Sequence, residues 1–179
     1  MTVNLKNLLN PNKKISKMGD FQELERIEGL SISAVSADLY GDGRDDLSLF
    51  YFKDGAKFAA LYTKSNIVSE SINWNLKLKN KITKALLVNT KNANTFTGKQ
   101  GFQGLKELSR SLSKHLTLKL AQAPKGIRDV IDPNEIIFAS TGVIGDTFPT
   151  EKIKERIPYL IKNLKDNQNK YVWFKAASS

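Results

Sequence analysis

Short apolar runs separated by polar turns divide the chain into candidate strands. Residues 30–37 alternate between apolar and polar side chains, whereas residues 47–52, 85–88 and 136–139 are more continuously apolar. Alternation is typical of a half-buried strand, and a short continuous run is typical of a buried one. A further strand is predicted over residues 57–63, after a turn at Asp54 and Gly55. The sequence therefore predicts strands near residues 30, 48, 58, 86 and 137.

Two later segments have apolar residues at the spacing of a helix. In the first segment these residues are Phe102, Leu105, Leu108, Leu112 and Leu116, and in the second they are Ile153, Ile157, Leu160, Ile161 and Leu164. A side chain that recurs every three or four positions lies on one face of a helix, so each stripe predicts a helix packed on the core. The predicted helices cover residues 102–116 and 151–165.

The second helix has a recognisable start. Thr150 is predicted as its N-cap, with Glu151 in the first turn, where negative charge is favoured. Pro158 lies inside the stripe and removes one backbone hydrogen bond, which predicts a kink. Of the other segments, residues 1–29 read as an irregular lead-in, residues 121–134 as a loop, and residues 67–81 remain ambiguous.

Composition limits the classes of protein that are possible. The 179 residues usually form one domain or a large piece of one, and 40% hydrophobic with 26% charged residues is a soluble, globular balance. The absence of cysteine excludes disulfides, thiol catalysis and thiolate metal sites within this chain. No signal-peptide core or membrane-spanning run is present, so we expect a cytoplasmic protein without a membrane partner.

The formal net charge of +10 raises the possibility of nucleic-acid binding. The densest basic run, formed by Lys77, Lys79, Lys81 and Lys84, has no interleaved aromatic side chains on which bases would stack. A solvated, lysine-rich surface is therefore favoured, and no nucleic-acid partner is predicted. A basic, RNA-binding module remains the alternative from another functional class.

The acidic turn between the first two strands resembles a calcium loop. Asp38, Asp42 and Asp46 are evenly spaced around Gly43, but Tyr40 stands where such loops supply an oxygen ligand. No glutamate follows at the closing position, and calcium requires six to eight oxygens. The sequence favours a solvated acidic hairpin.

His115 is the only histidine in the chain. We interpret it as a surface or capping residue near the end of the first predicted helix. With one histidine and no cysteine, neither a metal site nor a Ser/His triad within this chain is expected.

Residues 136–145 hold the strongest candidate chemistry. A buried strand over residues 136–139 runs into a turn in which Gly142 and Gly145 permit close backbone approaches. Backbone N–H groups freed at the strand end, with the Thr141 hydroxyl beside them, form a set of donors for a developing negative charge. An ordinary strand-to-loop turn is the alternative. Residues 89–98, rich in amides and hydroxyls, follow another buried strand, as functional loops often do.

These two segments resemble one family. The run Ala-Ser-Thr-Gly-Val-Ile-Gly at residues 139–145, followed by Phe148-Pro149 and Lys152-Ile153, is similar to a motif of the ornithine acetyltransferase (glutamate N-acetyltransferase, ArgJ) family. Upstream, Val88-Asn89 and the run Asn-Ala-Asn-x-x-Thr-Gly at residues 92–98 match a second motif in the expected order. The resemblance is strong from Leu86 to Ser179 and weaker from Gly29, where residues 44–47 match.

The resemblance implies a layered α/β fold of the ornithine acetyltransferase type, with residues 30–179 as its N-terminal, α-chain part, cut short at the C-terminus. It implies transfer of acetyl from N-acetylornithine to glutamate in the arginine pathway, with acetyl-CoA as a second donor in some members and no cofactor. Family precursors cleave themselves before a threonine, which becomes the nucleophile of a β chain, and the products form α2β2 heterotetramers. Thr141 and Gly142 match the family's oxyanion-hole pair.

Two departures from the family pattern affect the expected substrate preference and the expected activity of this chain. Thr90-Lys91 replaces the usual Ser-Gly pair, which bears on loop shape and substrate preference. The family's nucleophilic threonine and main substrate contacts lie beyond Ser179, so no substrate-binding residue is identified and this chain alone is predicted to be inactive. A related N-terminal-nucleophile aminopeptidase is the enzymatic alternative.

Overall fold

The computed structural model describes residues 24–78, 82–122, 130–166 and 168–179. Four strands form one sheet within these ranges, in the order β1-β2-β3-β4. They are β1 (Leu30–Val35), β2 (Leu47–Lys57), β3 (Ile82–Asn89) and β4 (Ile136–Ser140). The α-helices are α1 (Glu70–Lys77), α2 (Gly98–Ala121), α3 (Thr150–Lys162) and α4 (Lys170–Ser178), and a 3-10 helix, Pro133–Glu135, precedes β4.

The sheet changes direction once. β1, β2 and β3 pair in antiparallel fashion, whereas β4 pairs with β3 in parallel, with α2 in the connection between them. Parallel neighbours need such a crossover because their carboxyl ends lie at the same edge of the sheet. The loops that follow β3 and β4 therefore begin side by side.

Helices lie on both faces of the sheet. Leu49, Leu87 and Phe138 are aligned across β2, β3 and β4 and belong to the main core, which includes the buried stripes of α2 and α3. On the opposite face, Ile32 and Leu30 are buried with Ala176 of α4 in a smaller cluster. The alternation of strand side chains between two helical layers produces the layered α/β architecture.

Most predicted elements are confirmed by the structure. The strands near residues 30, 48, 86 and 137 and both predicted helices are present, and α2 is longer than predicted at each end. The ambiguous segment contains α1, which begins after Ser69, whose side chain accepts a hydrogen bond from the Ser71 N–H at 3.2 Å. Pro158 lies within α3, and the kink there stays a prediction.

The strand predicted over residues 57–63 is wrong. β2 continues through Asp54 and Gly55 to Lys57, and its register with β3 shifts between Tyr51 and Ala56. Gly55 has φ 79°, so the pair that reads as a hairpin turn instead forms an irregularity inside one strand. Residues 58–65 have neither helical nor strand structure. Lys57 is paired with Ile82, the first residue of β3, so residues 58–63 have no partner among the described residues of that strand.

Two smaller expectations are also decided, and several others fall on residues that the structure does not describe. Thr150 is the first residue of α3 and not its N-cap, which is Pro149, because the Thr150 side chain packs against Gly104 of α2. His115 does not lie at the end of α2, and its Nδ1 is 2.8 Å from the Ser111 carbonyl oxygen. Most of the lead-in (residues 1–23), residues 123–129 of the predicted loop, and Lys79 and Lys81 lie outside the described residues.

Candidate active site

The candidate site lies where the parallel strands β3 and β4 end. β3 ends at Asn89 and β4 at Ser140, and these two residues are partners in the ladder. We call residues 90–97 the amide loop and residues 141–149 the glycine loop. The carboxyl ends of parallel strands are where α/β proteins place ligands and reacting groups, because the loops there converge.

Backbone hydrogen bonds join the two loops. The Thr141 N–H donates to the Asn89 carbonyl at 3.1 Å, and the Val143 N–H donates to the Lys91 carbonyl at 2.8 Å. The Ala93 N–H donates to the Val143 carbonyl at 3.0 Å, so that Asn92 and Val143 form a parallel bridge. The loops thus extend the β3–β4 ladder past the strand ends. Their backbones hold a defined position relative to each other.

Gly142 permits this close approach. It has φ 130°, a conformation that residues with a Cβ rarely adopt. A Cβ at this position would overlap the Lys91 carbonyl group and lie 2.8 Å from the Asn92 nitrogen. Glycine is therefore required here both by its backbone conformation and by the space left between the loops.

Buried amide side chains hold the amide loop together. Asn92 Nδ2 donates to the Asp146 carbonyl at 2.9 Å, and Asn92 Oδ1 accepts from the Asn94 N–H at 2.7 Å. Asn94 Oδ1 in turn accepts from the Thr97 hydroxyl at 2.6 Å. Asn92 and Asn94 are 3% and 0% exposed, so their polar groups are satisfied within the protein. The amides that the sequence marks as functional fix the shape of the loops.

Strained backbone is concentrated in the amide loop. Four non-glycine residues of the described chain have positive φ, and Lys91, Asn94 and Phe96 are three of them. Asparagine tolerates this conformation, whereas for lysine and phenylalanine it is energetically costly. Such strain persists only where surrounding contacts enforce it, and it is enriched at functional sites.

Thr141 and Gly142 present two unused donors. Both residues are exposed, at the end of β4. The Thr141 N–H is bonded to Asn89, but the Thr141 hydroxyl and the Gly142 N–H donate to no acceptor among the described residues. The neighbouring Val143 N–H is bonded to Lys91, so the direction of the chain is fixed on both sides of the free donors. Stabilisation of an oxyanion requires donors that are positioned before the reaction, and the flanking backbone bonds hold the peptide groups of Thr141 and Gly142 in this way.

A partly buried chain of hydrogen bonds at the end of β4, next to Thr141, is absent from the sequence prediction. The Ser140 hydroxyl donates to Asn89 Oδ1 at 2.7 Å and lies 2.8 Å from the Ser71 hydroxyl of α1. Alternation along β4 places Ser140 on the same face of the sheet as Phe138, which faces the core. Its contact with α1 spans 69 residues of sequence and leaves no local signal.

The acidic turn supports the site in a way that the sequence did not predict. Asp46 is fully buried, and its carboxylate oxygens accept the Ala37 and Leu39 N–H groups at 2.6 Å each. Its carbonyl accepts the Thr90 N–H at 3.0 Å, which anchors the start of the amide loop. The solvated hairpin predicted from the sequence is therefore wrong for Asp46. It is right for Asp42, which is exposed and whose pKa is lowered by hydrogen bonds from Arg44.

We expect Asp46→Ala to lower the free energy of unfolding by about 2–4 kcal/mol, because one buried and one partly buried N–H group lose a charged acceptor. The matched control is Asp42→Asn in the same turn, which removes only an exposed ion pair and should cost less than about 1 kcal/mol. Urea unfolding of both variants measures the difference. Equal midpoints for the two would contradict the role assigned to Asp46.

The described residues contain no group of three or more His, Cys, Asp or Glu side chains placed to hold a metal ion. Within the same ranges, no helix is long and apolar enough to cross a membrane.

Solved structures of similar shape define the class to which the fold belongs. The chain is similar to an ornithine acetyltransferase from Mycobacterium tuberculosis, solved in complex with ornithine, with a TM-score of 0.72 and 22% identity over 84% of this chain and 74% of that chain. It is also similar to the arginine biosynthesis bifunctional protein argJ from Bacillus halodurans, with a TM-score of 0.70 and 20% identity over 87% and 77%. The protein has the layered α/β fold of the ornithine acetyltransferases.

Sequence comparison identifies the family. The sequence model of the ArgJ family matches residues 31–178, and the chain belongs to that family. It is 34% identical to the arginine biosynthesis bifunctional protein ArgJ of Gluconobacter oxydans over 81% of this chain and 31% of that protein. The protein of the same name from Bradyrhizobium diazoefficiens is 36% identical over 70% and 28%. The chain spans about a third of the length of the relatives it matches.

Proposed function

We propose that the complete protein containing this chain is a glutamate N-acetyltransferase, which moves an acetyl group from N-acetylornithine to glutamate in arginine biosynthesis. The observation that carries the proposal is the pair of free donors at Thr141 and Gly142, held at the end of β4 by the joined loops. Membership of the ArgJ family supports the same reaction, since the relatives are named as arginine biosynthesis proteins.

The proposed reaction has two acyl-transfer steps. A threonine hydroxyl outside this chain attacks the acetyl carbonyl of N-acetylornithine, and the carbonyl oxygen becomes negatively charged. The Thr141 hydroxyl and the Gly142 N–H donate to that oxygen. The tetrahedral intermediate then releases ornithine, whose amine takes the proton lost by the threonine, and leaves an acetyl-threonine ester.

The second step uses the same donors. The amine of glutamate attacks the ester carbonyl, a second oxyanion forms at the same place, and collapse returns the proton to threonine and releases N-acetylglutamate. Because both oxyanions form on the same acetyl carbon, one fixed pair of donors serves both steps. The backbone hydrogen bonds of Thr141 N–H and Val143 N–H support this proposal, because they hold the backbone on both sides of Gly142.

The remaining parts of the proposal concern the complete protein. The nucleophile and the main substrate contacts come from a β chain, with which this chain forms an α2β2 heterotetramer. No cofactor is needed, and acetyl-CoA is a second candidate donor. The protein acts in the cytoplasm.

Trapping the acetyl-enzyme tests the proposal. The complete protein is incubated with N-acetylornithine but no glutamate, quenched in acid and mapped by mass spectrometry. We expect one acetyl ester on a threonine outside residues 1–179, and we expect added glutamate to remove it. Folded protein that never acquires an acetyl group from this donor would contradict the proposal.

The two alternatives give different results in the same preparation. An N-terminal-nucleophile aminopeptidase would release amino acids from short peptides and would not acetylate glutamate. A basic RNA-binding module would bind RNA with an affinity that falls steeply between low and moderate salt.

A further inference from the structure

Lys91 occupies an unusual position in the amide loop. Its φ is 75°, in the left-handed region where glycine is strongly favoured. Its carbonyl group lies against the Cα of Gly142 and accepts the Val143 N–H at 2.8 Å. The backbone of Lys91 therefore lies next to the two free donors. It cannot relax without breaking the hydrogen bond between the two loops.

A lysine in this conformation is less stable than a glycine would be, because its Cβ crowds the following carbonyl. The backbone contacts of Lys91 need only its carbonyl oxygen, which glycine would supply equally well. The side chain is thus the part of Lys91 that the loop geometry leaves unexplained. An observed strained residue beside a candidate site is a reason to ask what its side chain does.

The Lys91 ammonium group carries a charge that is not neutralised locally. Its Nζ lies 5.7 Å from the centre of the Tyr40 ring, and it forms no ion pair with a carboxylate among the described residues. Arg44 lies over the same ring at 4.3 Å, but its charge is matched by Asp42. Lys91 is half-buried, and its flexible stem starts beside Gly142.

We propose that Lys91 is a specificity-determining residue that distinguishes the two substrates by the charge at the end of their side chains. This inference rests on the proposed function. Glutamate ends in a carboxylate, which the Lys91 ammonium attracts, whereas N-acetylornithine ends in an ammonium, which it repels. When both react at the donors of Thr141 and Gly142, one positive charge on the residue whose backbone contacts Gly142 acts in opposite directions on the two substrates.

The test measures KM for both substrates in the complete protein. Lys91→Gln removes the charge, Lys91→Arg retains it, and Lys91→Gly removes both the charge and the backbone strain. We expect the Gln and Gly variants to raise KM for glutamate by about three- to fivefold and to lower KM for N-acetylornithine by a similar factor, as a partly screened ion pair would. The Arg variant should retain both values, and the difference should shrink at high salt.

The matched control is Lys114→Gln, which removes an exposed lysine from the outer face of α2. It changes the net charge by the same amount and should leave both KM values unchanged. Thermal unfolding of every variant establishes that it is folded. If the Gln variant does not fold, the Gly variant carries the comparison, since the loop backbone favours glycine at this position.

Changes of opposite sign in the two KM values distinguish this role from a structural one. A change of both KM values in the same direction, or no change in either, would overturn the assignment of Lys91 while leaving the acetyltransferase intact. A rise in both would mean that Lys91 binds the α-carboxylate that the substrates share. A folded wild-type protein that transfers no acetyl between them would overturn the proposed function, and the Lys91 inference with it.

Discussion

Replacing Thr141 by valine in the complete protein is expected to lower kcat by about 10²–10³, or roughly 2.7–4 kcal/mol of transition-state stabilisation. Valine has nearly the same volume as threonine but no hydroxyl. The backbone bond from Thr141 N–H to Asn89 does not involve the side chain, so the fold and the binding of the substrates should be retained. A loss confined to the transition state lowers kcat and changes KM little.

Two variants control this result. Thr141→Ser keeps a hydroxyl and should recover most of the activity. Thr147→Val makes the same substitution at another exposed threonine of the glycine loop, and kcat should stay within about twofold of the wild type, roughly 0.4 kcal/mol. If Thr141→Val also stays within about threefold, roughly 0.7 kcal/mol, then Thr141 is an ordinary turn residue.

Gly142→Ala is expected to destabilise the protein by about 2–4 kcal/mol and to reduce activity as well. The new Cβ would meet the backbone of Lys91 and Asn92, which cannot move aside as a flexible side chain can. The strained φ adds to the cost. Separation of the loops would also misplace the Gly142 N–H and the Thr141 hydroxyl. Unlike Thr141→Val, this change should therefore lower stability and kcat together.

Gly145→Ala provides the matched comparison. Gly145 also has positive φ, at 87°, but nothing lies within 4 Å of the position its Cβ would take. The alanine there should cost only the conformational term, about 1 kcal/mol. Urea unfolding of the two variants isolates the contact between the loops. Equal losses of stability would show that the close approach at Gly142 does not hold the loops together.

Regular packing explains which elements were predictable. The stripe from Phe102 to Leu116 packs on the core, and Ile136 and Phe138 of β4 are buried in it, so their periodicity is visible in the sequence. The failed strand at residues 57–63 has the right composition, but residues 58–63 pair with no strand among the described residues, and composition does not reveal whether a pairing strand is present. Asp54-Gly55 reads as a turn in isolation, and only the pairing of Ala56 and Lys57 with β3 shows that the strand continues.

The sequence identified candidate residues for the site, but it did not predict how the two loops are held together. Thr141 and Gly142 follow from the strand end and the family motif, and their role in catalysis stays a prediction. The parallel pairing of β3 with β4 joins segments about fifty residues apart, as the contact of Asn89 with Ser140 shows. The left-handed backbone of Lys91 arises from that pairing. No spacing rule would have assigned it to a lysine.

Acetyl transfer itself is the most direct test of the central claim, that this chain supplies the oxyanion donors of an acetyltransferase whose nucleophile lies elsewhere. N-acetylornithine labelled in its acetyl group is mixed with glutamate and with equal amounts of either the complete protein or residues 1–179 alone. We predict labelled N-acetylglutamate and ornithine in equal amounts from the complete protein, and none from residues 1–179. Transfer by residues 1–179 alone, or a folded complete protein that leaves glutamate unlabelled, would contradict the account.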